Sequence, residues 1–245
     1  MSRQPTNNDH YWNETIAHYL QDDPIFLEIY KEFTAAPWRS HHLDDKTKEL
    51  LNIALSASPT HLNKAATQDH MKKALQLGAT KEEIAEVLKI VSILGVHTCA
   101  VGIPLMMEHY RSDEDLDNAD YTEEQRALKQ KFIDTMGYWN AFRDDLIRMD
   151  TNYFHAYYEF LTLPTRRKIL EPKVIEFIYI AIDSSTTHLF EKGIAVHLKN
   201  AITYGATQGE LLEVFQLTSA IGFHTLLEAL PMLEEQVAKQ KTLKG

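Results

Sequence analysis

Along most of its length the chain alternates apolar and polar residues with the period of a helix, and its caps divide that pattern into segments. Asp44 caps a predicted helix that runs to about Ala57, and Glu171 stands at the head of a similar one with Pro172 in the favoured first position. A second helix is expected after Thr60 and again after Thr187. These end at Gly78 and Gly205, residues suited to the left-handed turn just beyond a helix. Thr80-x-x-Glu83 and Thr207-x-x-Glu210 are capping boxes opening a third, Ile-, Val- and Leu-rich helix, which carries Gly95 or Gly222 and should be kinked or ended by Pro104 or Pro231. Residues 12 to 36 and 139 to 163 also read as helical. Thr122 and Gln125 box the start of one more helix, ending near Gly137. Nothing has the two-residue alternation of a half-buried strand, so the expected class is all-α.

The pairs in that description form a duplication. At an offset of 127, residues 30 to 106 align without a gap on 157 to 233, and 28 of the 77 positions are identical. Tyr11-Trp-Asn returns as Tyr138-Trp-Asn at the same offset, which starts the first copy near residue 11. A unit this long is a domain rather than a solenoid repeat. The expected organisation is a first repeat over 11–110, an acidic linker over 111–121 and a second repeat over 122–238, the two repeats forming a pseudo-dimer.

Composition narrows the function. The 245 residues are 44% hydrophobic and 24% charged, as in an ordinary globular protein, and the formal charge of -10 disfavours a nucleic-acid partner. The polar first ten residues lack the apolar centre of a signal peptide, and no uninterrupted apolar run reaches about 18 residues, so no membrane partner and a cytoplasmic location are expected. One cysteine, Cys99, leaves neither an intrachain disulfide nor a Cys-x-x-Cys pair.

The duplication also filters the candidate chemistry. Of twelve histidines, six form repeat pairs: His61 with His188, His70 with His197, and His97 with His224. His70 continues the stripe Leu62, Ala66, Ala74, Leu77, and His197 continues Leu189, Gly193, Ala201, so both should point inward. There each is either a hydrogen-bonded core histidine or a general acid–base, with metal binding a third reading. His61 lies nine residues before His70, nearly opposite on a continuous helix, unless it leaves the helical path or faces the other copy or another subunit. Glu49, Asn52 and Ser56 make a narrow polar stripe that copy two repeats as Glu176, Tyr179 and Asp183, and on a mostly apolar helix such a stripe faces either water or a polar pocket. His97 and His224 follow a glycine, where core packing is the default. Arg39 and Arg166, expected in loops after a proline, could hold a substrate carboxylate. No His-x-x-x-His or Glu-x-x-His recurs in both halves, so no metal is expected.

These residues resemble the carboxymuconolactone decarboxylase family, which includes the alkylhydroperoxidase D-like proteins. The resemblance rests on Leu-Asp-Asp-Lys-Thr-Lys-Glu-Leu from Leu43, His70, and Gly78-Ala-Thr-Lys-Glu-Glu-Ile, with Glu176, His197 and Gly205-Ala-Thr in the same order in copy two, about 70 residues of each half. It implies an all-helical alkylhydroperoxidase D-like fold and single-domain subunits assembled as trimers or hexamers, so that a trimer of this tandem chain would mimic a hexamer. It makes His70 and His197 the family histidine and Glu49 and Glu176 its glutamate, as catalytic residues, with Arg39, Arg166, His61, His188, His97 and His224 as candidate substrate contacts. The peroxidase branch carries Cys-x-x-Cys-x-x-x-His, but Asn63 and Ala66, and Phe190 and Gly193, stand where the cysteines belong. The segment between glutamate and histidine is also two residues longer than in typical members, around Pro59-Thr-His. The implied activity is therefore cofactor-independent decarboxylation or proton transfer on a small carboxylated lactone or related acid. A peroxiredoxin-like antioxidant and a non-catalytic binding or scaffold protein are the alternatives.

Overall fold

The computed structural model describes residues 14–110 and 121–244, so the expected linker, except for Tyr121, and the Tyr11-Trp-Asn start of copy one lie outside the described residues. Copy one contains α1 (Glu14–Tyr19), α2 (Pro24–Arg39), α3 (Asp45–Ser56), α4 (Lys64–Gln76), α5 (Lys81–Ser92) and α6 (His97–Tyr110). Next comes α7 (Glu123–Met136). Copy two then follows as α8 (Phe142–Met149), α9 (Thr151–Arg167), α10 (Pro172–Ser184), α11 (Glu191–Thr203), α12 (Gln208–Ser219) and α13 (His224–Lys244). The class is all-α, with no strand among the described residues, and the two helical repeats form a pseudo-dimer.

Local chemistry sets most boundaries as expected. Asp44 accepts from the Thr47 N–H at the head of α3, and the boxes Thr80/Glu83, Thr122/Gln125 and Thr207/Glu210 are closed in both directions at α5, α7 and α12. Gly78, Gly137 and Gly205 take φ of 87°, 73° and 84°, the left-handed conformation that a Cβ disfavours.

Three boundaries differ from the sequence reading. The second helix of each copy begins at Lys64 or Glu191, because Leu62 and Leu189 adopt positive φ (42° and 48°), and Asn63 caps α4 through the Ala66 N–H. The third helix is two helices. A 3₁₀ turn, Ile93–Val96 in copy one and Ala220–Phe223 in copy two, separates α5 from α6 and α12 from α13, and the later helices run on through Pro104 and Pro231. Both breaks contain the paired glycine, whose cost in a helix interior is about 1 kcal/mol relative to alanine. Finally, Pro37 and Pro164 lie inside α2 and α9, so Arg39 and Arg166 occupy last helical turns rather than loops.

The core is interleaved. α3 and α10 pack on each other at the centre. α5 of copy one lies against both, as does α12 of copy two, while α4 covers α3 and α11 covers α10. Leu50, Leu51, Ile53, Ile90, Phe177, Ile178 and Ile180 are fully buried in one continuous cluster spanning the two copies. Buried polar ties cross the same boundary. Glu213 of α12 accepts from the Ser40 hydroxyl and from the backbone N–H groups of His42 and Leu43, and lies 3.6 Å from the fully buried Lys48. Its repeat mate Glu86 meets Arg167 at 3.6 Å.

The stretch Lys81–Tyr110 has the length and mean hydropathy, 1.9, of a membrane span, although polar residues interrupt its apolar run. The 3₁₀ turn breaks it, and its Glu86 is fully buried and ion-paired with Lys89.

Candidate functional site

The polar stripes of α3 and α10 turn inward. Glu49 is fully buried and its Oε2 lies 2.7 Å from Nδ1 of His70 on α4. Glu176 holds Nδ1 of His197 on α11 at 2.6 Å, with Asn200 donating to its other oxygen. The turns before α4 and α11 do not separate glutamate from histidine in either copy. A carboxylate can only accept from imidazole N–H, so each pair places the proton on Nδ1 and leaves the Nε2 lone pair for chemistry. The Tyr179 ring stacks on His197 at 4.4 Å between centroids.

The motif Ser58-Pro-Thr-His-Leu and its copy Ser185-Thr-Thr-His-Leu form the turns that precede α4 and α11, and they meet each other. Thr60 and Thr187, repeat mates, share a hydroxyl hydrogen bond of 3.0 Å, each also bonded to the serine two residues before it. Leaving the helical path there sends each following histidine to the other copy. His61 Nε2 lies 2.7 Å from His224 Nδ1, and His188 Nε2 lies 2.8 Å from His97 Nδ1, with both ring pairs stacked. The exchange is reciprocal, as in an isologous dimer. His97 and His224 take part because the 3₁₀ turns end just before them and start α6 and α13 there. Burial lowers the basicity of all four rings, driving His97 to about 3 and His224 to about 4, so these pairs are neutral near pH 7.

Two cavities follow from this exchange. The first, about 240 Å³, is lined by Tyr30, Asn52, Ser56, His70 and Lys73 of copy one and Phe223 and His224 of copy two. The second, about 40 Å³, is its repeat-related counterpart, lined by Tyr157, Tyr179 and His197 of copy two and His97 of copy one. It is smaller because larger side chains stand in it: Tyr179 for Asn52, Leu161 for Thr34, and Arg143 for Ile16.

The paired arginines are elsewhere. Arg39 makes a two-pronged ion pair with Glu32 at 2.6 and 2.8 Å, Arg166 binds Glu159 at 2.6 Å, and neither lines either of these two cavities. The seven-residue spacing puts each pair on one helix face, which the loop assignment concealed. The guanidinium that lines one of these two cavities is that of Arg143, buried among Phe132, Tyr138, Phe142 and Tyr157 at 4.6 to 5.7 Å from their ring centres. Sequence reasoning missed it because it has no cationic repeat mate. Asp183 belonged to the recognised stripe but was not singled out. It is fully buried, neither carboxylate oxygen accepts a hydrogen bond, and burial raises its pKa to about 7. Its room comes from Gly193, where a Cβ would fall 2.0 Å from Asp183 Oδ2. In copy one the same two positions are Ser56 and Ala66.

Comparison with known proteins agrees with the sequence resemblance. The family model for the carboxymuconolactone decarboxylase family matches residues 24–96. A search of curated proteins gives no match. A crystal structure from Burkholderia xenovorans LB400, of a protein provisionally assigned as a gamma-carboxymuconolactone decarboxylase subunit, is 33% identical over 97% of this chain and 99% of its own, with a TM-score of 0.85. With this match along nearly its whole length, the chain belongs to the carboxymuconolactone decarboxylase family.

Proposed function

We propose that this chain is a cofactor-independent enzyme of the decarboxylating type, acting on a small carboxylated lactone or related acid in the cavity of copy one. The observation that carries the reading is the Glu49–His70 pair. A buried carboxylate fixes the imidazole so that its second nitrogen is available to a cavity of about 240 Å³, closed on the far side by the other copy. Loss of carbon dioxide leaves its bonding electron pair on the substrate, delocalised into the conjugated lactone. His70 first takes a proton from water on Nε2, becoming an imidazolium whose charge Glu49 offsets, and then delivers that proton to the carbon that lost the carboxyl group. Lys73, paired with Asp69 at 2.8 Å, brings a cation to the lining for a second carboxylate of the substrate. His197 and Glu176 repeat the catalytic pair beside about 40 Å³, room for a water or two rather than an organic acid.

The peroxidase alternative has no support at the histidines, since Cys99 lines neither cavity and meets the Tyr153 hydroxyl at 3.7 Å. We also propose that the chain is a homotrimer that buries exposed apolar side chains of α6 and α13 such as Val101, Leu105, Met232 and Leu233, a mass that light scattering reads directly.

The test of function is carbon dioxide release from gamma-carboxymuconolactone. Turnover should fall by about 10²- to 10⁴-fold in His70→Asn and much less in His197→Asn. Absence of release by the wild-type protein rejects this substrate, and binding without turnover favours the non-catalytic alternative.

A further inference from the structure

The two copies share the Glu–His pair and the crossed histidine pair, but differ in what lies beneath the histidines. In copy two the side chains of His97, His188 and Asp183 bring three donor atoms together. Nδ1 of His97 and Nε2 of His188 are 2.8 Å apart, and Asp183 Oδ1 lies 3.7 Å from the first and 3.9 Å from the second. The point equidistant from these atoms is about 2 Å from each, which matches bonds of about 2.0 to 2.2 Å from a first-row divalent ion to imidazole nitrogen or carboxylate oxygen. We propose that copy two holds one first-row divalent cation of the zinc class on His97, His188 and Asp183.

A second observation points to the same place. Asp183 is fully buried with both oxygens lacking a hydrogen-bond partner, an arrangement that is costly for an ionised carboxylate unless a cation faces it. The sequence makes room for it at the expense of a side chain, since any residue larger than glycine at 193 collides with its Oδ2. Copy one supplies an internal contrast. His61 and His224 meet at 2.7 Å in the same way, but Ser56 replaces the aspartate and Ala66 the glycine, so the third ligand is missing. The surroundings suit a ligand set. His197 Nε2 lies 4.0 Å from the outer oxygen of Asp183, and Glu176 holds the other nitrogen of that ring, giving the carboxylate an orienting neighbour. Both rings are partly exposed, which leaves the ion a path from solvent. Arg143 lines the adjoining cavity and opposes a dication, but Asp183 and Glu176 together outweigh its single charge. In the metal-free protein one proton lies between His97 Nδ1 and His188 Nε2. Binding moves that proton to the far nitrogen of its ring, which frees both facing lone pairs for the ion. Ligand-spacing rules cannot find this set, because His97 comes from one copy and the other two residues from the second.

This inference goes beyond the proposed reaction and is read without a turnover assay. Chelator-treated full-length protein is titrated with Co²⁺ while its visible d–d absorption is followed, and Zn²⁺ is then added in competition. The expected result is one equivalent of Co²⁺ per chain with the intense bands of a low-coordinate N/O site, displaced by Zn²⁺. Affinity should be at least tenfold weaker in both Asp183→Asn and His188→Asn, and unchanged in His61→Asn. Removing a buried unpartnered charge should leave the Asp183→Asn melting temperature no lower than that of the wild type, so loss of binding there cannot be put down to unfolding. The proposal is overturned if the wild type takes up no Co²⁺, if Asp183→Asn binds as tightly as the wild type, or if the loss follows His61→Asn instead.

Discussion

Gly193 and Asp183 show how one pair of positions specialises a copy. Gly193→Ala places a Cβ 2.0 Å from Asp183 Oδ2 and 2.6 Å from a Phe190 ring carbon, and should cost about 1–3 kcal/mol in chemical denaturation. Gly193→Ala with Asp183→Ser rebuilds the copy-one combination and should recover most of that loss; additive costs would show that the two sites are not coupled. His224 gives a prediction about pH. Burial first, then the neighbouring His61 and His70, lower its pKa to about 4, so between about 6.5 and 4 the unfolded chain binds more protons at this position than the native one. Stability from this residue is therefore complete above about pH 6.5 and is lost as pH falls towards 4. His224→Asn, which keeps a polar atom near Nδ1, should lose less stability than the wild type across that window when melting temperatures are followed from pH 7 to 4.

The helix ends decide where the histidines go. The capping boxes were legible because they depend on residues three apart in sequence, and Thr80→Ala should cost about 1 kcal/mol in urea unfolding through the loss of the Glu83 N–H acceptor. A cost near zero would mean that packing alone fixes the start of α5. The 3₁₀ breaks were not legible. The apolar pattern continues through Ile93–Val96, and a periodicity argument sees no difference between a helix and two helices joined by a tighter turn. The start of α4 was misplaced for a related reason. Thr60 is a good capping residue, but its hydroxyl is bonded to Ser58 and Thr187, and the cap falls to Asn63.

At the scale of the molecule, each cavity is finished by a histidine from the opposite copy, and the cores merge through α3 and α10. The chain should therefore unfold in a single calorimetric transition despite its duplicated sequence. Glu213→Ala should cost about 3 kcal/mol, because it strands the buried Lys48 charge and removes the acceptor of three donors on copy one. Two separated transitions would contradict the shared core.

The sequence alone determined the helical class and the duplication and singled out Glu49, His70, Glu176 and His197, since these rest on spacings within one helix or on identity at a fixed offset; that Glu49 meets His70 and Glu176 meets His197 was decided by how α3 docks on α4 and α10 on α11. It also marked Ser-x-Thr-His-Leu as special without its reason. Only the tertiary structure decided that this motif meets its own copy and passes His61 and His188 across, that Arg39 and Arg166 are occupied by glutamates on their own helices, and that Arg143 and Asp183 reach copy two's interior. The physical reason is distance along the chain. Contacts such as His61 with His224 join residues 163 apart, and their geometry depends on how two helical layers dock, a property that no local pattern of residues encodes.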